Sequence, residues 1–155
     1  MNSTDKQVND FDLDKEFFQP VVEAYLHSVD LYKKFFNEEK FDITPQQWHA
    51  LNRLWKEDGI SQAELAKRTF KDYTFTTRLV DYLEKQDLVV RVKDKEDRRS
   101  NKVFLTEKGK KFKSIVVPKF IEMSNLTSNG LTENDINDLR RICTKIINNY
   151  KNIQK

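Results

Sequence analysis

Two short stretches of this 155-residue chain concentrate groups suited to reading a polyanion. In the first, Thr76, Leu79, Val80 and Leu83 recur at helical spacing and predict an inner stripe. Tyr73, Thr74, Phe75, Thr77 and Arg78 are then left outward. That face is rich in hydroxyls and rings, carries no acid and ends in an arginine. On the first turns of a helix, such groups suit a groove lined by phosphates and base edges. The second stretch is Asp97-Arg98-Arg99, inside a run from Lys93 to Asn101 too polar for anything but a hairpin tip. Arg99 there fits a narrow minor groove, where the potential is most negative, and Asp97 would orient it through a charge-assisted bond. Arg98 divides between phosphate contact and solvent. Gln62 and Ser61, opening the preceding helix, are within reach of phosphates, although capping alone explains Ser61. Lys71, Lys93 and Lys95 neutralise phosphate without reading sequence. The bland alternatives are a solvated helix face and a solvated tip.

The elements that must hold these groups lie between Ser61 and Leu105. Ser61-Gln62-Ala63-Glu64 predicts a capping box at a helix start, with Leu65 and Ala66 inside. Leu88 to Val92 reads as a strand, and Lys102 to Leu105 returns beside it. Helix, turn, helix and hairpin make a winged helix-turn-helix, in which one helix enters a major groove and the wing reaches the flanking minor groove. Upstream, Thr44-Pro45-Gln46-Gln47 is a second capping box, with Trp48, Leu51, Leu54 and Trp55 as its buried face. By likeness to other winged folds, Ile60 is expected to touch the wing as a brief strand.

The run from Asp97 through Val103-Phe104-Leu105-Thr106 to Gly109 resembles the wing signature of the MarR family, the multiple-antibiotic-resistance regulators. Ile43 to Trp48 resembles that family's entry to its second helix, and Asp72 to Lys85 its recognition helix. The resemblance covers nearly the whole chain after the first several residues. It implies a dimeric DNA-binding regulator, a repressor by default, and a small aromatic or lipophilic anion as effector where the dimer helices meet the DNA-binding lobe. Tyr25, His27, Tyr32 and Trp48 are the candidates for lining that pocket, against plain core packing. His49 is assigned to the surface. Two departures stand out. Asp87 occupies a place where the family usually has glycine, a site that calls for left-handed backbone. Phe75 replaces a small polar residue; it either presses on thymine methyl groups or turns inward and packs.

The remaining chain predicts helices that need a partner. Phe18, Val22, Tyr25, Val29, Tyr32 and Phe36 step by four and three, as do Ile136, Leu139, Cys143, Ile146, Tyr150 and Ile153. Two such seams imply a dimer interface built from both termini. The expected organisation is a flexible segment at 1–10, an N-terminal dimerisation region at 11–40, the winged lobe at 41–109 and C-terminal dimerisation helices at 110–155. The fold class is thus mainly α with a small β-hairpin wing. Charge is uneven: residues 1–44 carry 5 Lys against 10 acids, and residues 110–155 carry 9 Lys or Arg against 4. That suits nucleic acid at one end only. The single cysteine, Cys143, reads as a small seam hydrophobe, and the chain shows no secretory leader or long apolar run. A cytoplasmic protein with no membrane contact is expected. No spacing suits a metal, a cofactor or a nucleophile with its base, so enzymatic activity finds no support. A protein-interaction module, or a ligand sensor without DNA contact, stays open as the alternative.

Overall fold

The computed structural model of the chain describes residues 12–94, 97 and 100–153. It forms two compact units, one ending at Lys113 and the other starting at Ser114. The first opens with a 3-10 turn, Leu13–Lys15, and α1 (Gln19–Glu38). There follow α2 (Pro45–Lys56), β1 (Ile60–Ser61), α3 (Gln62–Thr69), α4 (Tyr73–Lys85), β2 (Val89–Lys93), β3 (Asn101–Leu105) and the start of α5 (Glu107–Thr127). The three strands pair antiparallel in the order β1-β3-β2. Val103 is the centre of the sheet, facing Ile60 on one side and Arg91 on the other.

Local chemistry fixes where each helix starts. Thr44 Oγ1 accepts from the Gln47 N–H at 3.3 Å, and Gln47 Oε1 accepts from the Thr44 N–H at 2.7 Å, so the predicted box closes in full. Ser61 caps α3 by accepting from the Glu64 N–H at 3.1 Å. The other half of that expected box is absent, because Glu64 pairs instead with Arg68 one turn along, at 2.7 Å. A cationic donor outcompetes a neutral N–H for the carboxylate. Asp72 caps α4 through the Phe75 N–H at 2.7 Å.

Three helices end through a residue in left-handed backbone that is not glycine: Lys40 (φ +56°), Phe70 (φ +54°) and Asp87 (φ +58°). At Asp87 the closing bonds run from the Leu88 N–H to Leu83 O and from the Asp87 N–H to Glu84 O, the Schellman pattern. The left-handed site inferred from sequence is therefore where it was expected. Gly59, also left-handed, lies where a Cβ would stand 2.3 Å from the Phe104 ring; its bareness lets the wing close on the α2–β1 turn.

The core of this unit joins Leu51 and Leu54 of α2, Leu65 of α3, Val80 and Leu83 of α4 and Val103 of β3, all buried. Beside it Phe35, Phe36, Phe41, Trp48, Trp55 and Phe112 form an aromatic cluster with centroids 5.2–6.3 Å apart. The Trp55 indole donates to Gly109 O at 3.0 Å, which pins the first turn of α5.

In the second unit, α6 (Glu133–Ile153) is capped by Thr132 and Asp135, whose carboxylate accepts from both the Thr132 N–H and hydroxyl. Those bonds hold the Asp135 carboxyl below the usual carboxylate range. No residue of α6 is buried, and Leu139, Ile142, Ile147, Tyr150 and Ile153 are exposed. Among the described residues, no helix is long and apolar enough to cross a membrane.

Asp87 holds a backbone conformation that suits glycine better. Asp87→Gly is expected to stabilise the chain by about 0.5–1 kcal/mol, read by urea denaturation. A loss of stability would show that the Asp87 side chain contributes more than its backbone strain costs.

Candidate nucleic-acid interface

The inner stripe of α4 is as the spacing predicts: Thr76, Leu79, Val80 and Leu83 are all buried. Tyr73, Thr74, Phe75 and Arg78 point outward and are exposed, whereas Thr77 is half-buried. The Thr77 hydroxyl donates to Tyr73 O at 2.9 Å and accepts from Gln62 Nε2 at 2.8 Å. Its one proton is thus given inside the protein, and one of its two lone pairs is taken there. Phe75 does not turn inward. It is 39% exposed, with the Lys71 ammonium 5.3 Å from its ring centroid.

Behind this face lies a polar brace. Arg91, on β2, donates from Nε to Gln62 Oε1 at 2.8 Å, from Nη1 to Asp81 at 2.6 Å and to Glu84, and from Nη2 to Thr77 O at 2.8 Å. Its N–H donates to Glu84 Oε1 at 2.7 Å. One guanidinium so links β2, α3 and α4, and it is largely shielded from water. The far end of α4 is tied separately: the Tyr82 hydroxyl donates to Asp42 at 2.6 Å, and the Gln86 amide donates to the same carboxylate. That partner raises the Tyr82 pKa.

Gln62 requires a correction. It was expected near phosphates, yet it is 2% exposed, with its amide N–H given to Thr77 and its carbonyl to Arg91. A buried amide satisfies itself on its neighbours, and the Gln62 side chain ties α3 to α4 and β2. At the wing, Asp94 accepts from Lys102 at 3.1 Å, and the Ser100 N–H donates to Asp97 O at 2.9 Å. Asp97 is exposed. Lys95, Arg98 and Arg99 lie outside the described residues.

A cavity of about 430 Å³ opens between α1, α2 and the α3–α4 turn. Tyr25 and Tyr32 line it, together with His49, Arg53, Phe70 and Lys71. His27 and Trp48 do not. His27 is two residues beyond Tyr25, about 200° round the helix, and so faces elsewhere. Trp48 is buried in the aromatic cluster, between Phe36 and Trp55. His49, exposed at the surface as expected, also forms part of the cavity wall. Partial burial, with the Arg53 and Lys71 charges, holds its imidazole below the ordinary value. Arg53 Nε is buried with no hydrogen-bond partner.

Residues 41–100 match the model of the MarR family. The chain is 30% identical over 129 residues to the HTH-type transcriptional regulator SarZ of Staphylococcus aureus, covering 83% of this chain and 81% of that one. This chain belongs to the MarR family. Its fold is also that of a MarR transcriptional regulator from Methanosarcina mazei (TM-score 0.78, 28% identity, 90% of this chain and 99% of the other). It is similar to S. aureus MepR in its DNA-binding conformation as well (TM-score 0.71, 26% identity, 86% and 99%). As a MarR-family member it is a DNA-binding transcriptional regulator, not the interaction module or DNA-free sensor left open by sequence.

Within this MarR-type lobe, the brace is what the sequence reading missed. Its signal was present: Arg91 interrupts Val89-Val90-Arg91-Val92 on the side of the strand that Val89 buries. Lysine has no planar fork to reach four acceptors. Arg91→Lys is expected to lower stability by about 2 kcal/mol, a figure reduced for the half-exposed Asp81, in urea denaturation. An unchanged midpoint would mean that the brace is dispensable.

Proposed function

We propose that the chain acts as a cytoplasmic homodimeric repressor. Each protomer sets α4 into a major groove of a pseudo-palindromic operator with half-sites about one helical turn apart. The observation that carries this is the outward face of α4: Tyr73, Thr74, Phe75 and Arg78 exposed on a helix fixed from behind. Arg99, with Asp97 to orient it, is assigned to the flanking minor groove on sequence grounds, while Arg98 divides between phosphate contact and solvent. Uncovered apolar residues support the dimer: Val21, Val22 and Leu26 on α1, and Leu139, Ile142, Tyr150 and Ile153 on α6. Residues 11–40 and 110–155 are accordingly assigned to dimerisation, and 41–109 to DNA.

The cavity is assigned to a small aromatic anion. Tyr25, Tyr32 and Phe70 supply apolar walls, while Arg53 and Lys71 supply positive charge and Arg53 Nε an orphaned buried donor. An anion there that prefers one arrangement of the lobe shifts the population toward it, and DNA affinity follows.

Arg78→Ala and Arg99→Ala are each expected to weaken binding to a selected operator about tenfold or more, with Tm unchanged, in fluorescence anisotropy. Wild-type affinity should fall steeply as salt rises. Operator binding untouched by both substitutions would remove the proposed reading face.

The depressed His49 pKa gives the cavity a pH signature. Burial and the Arg53 and Lys71 charges disfavour the imidazolium, so protonating His49 costs stability as pH falls below the ordinary imidazole value of about 6.5. A bound carboxylate favours the imidazolium, so benzoate binding takes up a proton. Benzoate affinity is expected to rise between about pH 7.5 and 5.5 by calorimetry, and His49→Asn to flatten that rise. Affinity independent of pH in wild type would exclude His49 from the site.

A further inference from the structure

The exposed aromatic ring at the head of α4 needs an account that neither phosphate binding nor packing supplies. The Phe75 backbone is anchored. Its N–H is fixed on the Asp72 carboxylate at 2.7 Å, which places the residue in the first turn of α4. Yet its ring is 39% exposed, with exposed Thr74 and Arg78 beside it. Lys71 Nζ stands 5.3 Å from the ring centroid.

The surroundings restrict what this ring meets. No acid lies between Tyr73 and Arg78, and Lys71 and Arg78 bring positive charge, so the occupant is anionic. It must also offer an apolar group, because a phenyl ring pressed on a polar base edge strips water from donors or acceptors and returns nothing. A DNA major groove combines both demands at one kind of base. Thymine carries a C5-methyl on the groove floor, whereas cytosine shows an amine there and guanine two acceptors. Thr77 offers no proton to that base, since its hydroxyl donates to Tyr73 O and accepts from the Gln62 amide.

We infer that Phe75 is a specificity-determining residue that reads one thymine per half-site through its methyl group. Lys71 steadies the ring and meets the adjacent phosphate. Base hydrogen bonding then falls to Thr74 and Arg78. This rests on the assignment of α4 to the major groove.

The test uses the full-length protein and an operator selected from a random duplex pool. Each thymine is replaced in turn by deoxyuridine, symmetrically in both half-sites, which deletes only the methyl. Wild type should lose about fourfold in affinity per half-site at one thymine, the value of one buried methyl group. Phe75→Ser should bind the thymine and deoxyuridine operators equally, at the affinity wild type shows for the latter. Phe75→Leu, which keeps an apolar tip, should retain part of the discrimination and guards against a folding defect in the serine variant. Equal losses in wild type and Phe75→Ser, or no loss at any thymine, would overturn the inference while leaving DNA binding intact. A pool that returns no motif would remove the groove assignment itself, and this inference with it.

Discussion

A guanidinium drawn out of water into the back of the reading helix is the interaction on which this lobe depends. Arg91 stands in a strand whose neighbours are valines, and shielding a cation there is unfavourable unless its donors find acceptors. They find Gln62 on α3, and Thr77 O, Asp81 and Glu84 on α4. Because these acceptors come from two helices while the donor comes from the wing, none of the three elements can rotate without breaking a charge-assisted bond. The hydrophobic stripe of Leu79, Val80 and Leu83 decides that α4 packs; the arginine decides at what angle about its own axis.

The cavity shares a boundary with that helix. Phe70 and Lys71 form the turn between α3 and α4 and also line the cavity wall. Phe70 sits there at φ +54° and is largely exposed, an arrangement no aromatic residue adopts without a steric cost. Lys71 faces two ways, toward the cavity cations and toward the Phe75 ring. The turn therefore gives α4 a short physical link to the cavity wall.

Much of this was legible from residue order. Thr44 and Ser61 mark helix starts, the periodicity of α4 separates its two faces, and the polar run after Lys93 marks the wing. Left-handed backbone at Asp87 was implied by the family resemblance, which has glycine at that place. What escaped was side-chain connectivity across the sequence. Gln62 reads as a surface residue at a helix start, and only the approach of β2, 29 residues later, turns its amide inward to Arg91. Trp48 follows its buried-face reading rather than the pocket one, and His27 faces away from the cavity. An aromatic residue or a histidine suits a cavity by type, but the helical phase of α1 and the crowd of rings around Trp48 determine whether it arrives. The tip arginines are read from sequence alone, since Arg98 and Arg99 lie outside the described residues.

The separation of brace and reading face has a bearing on how such a lobe diverges. Gln62, Thr77, Asp81, Glu84 and Arg91 share one network, so a change at any of them is felt by the others and neutral drift there must be concerted. The side chains of Tyr73, Thr74 and Arg78 stand outside that network, and the Phe75 ring lies against Lys71. Those four positions are free to vary one at a time on a scaffold that stays folded. A lineage carrying this lobe can acquire a new operator preference by single steps, and the same partition marks which positions an engineer should randomise and which should be left as they are.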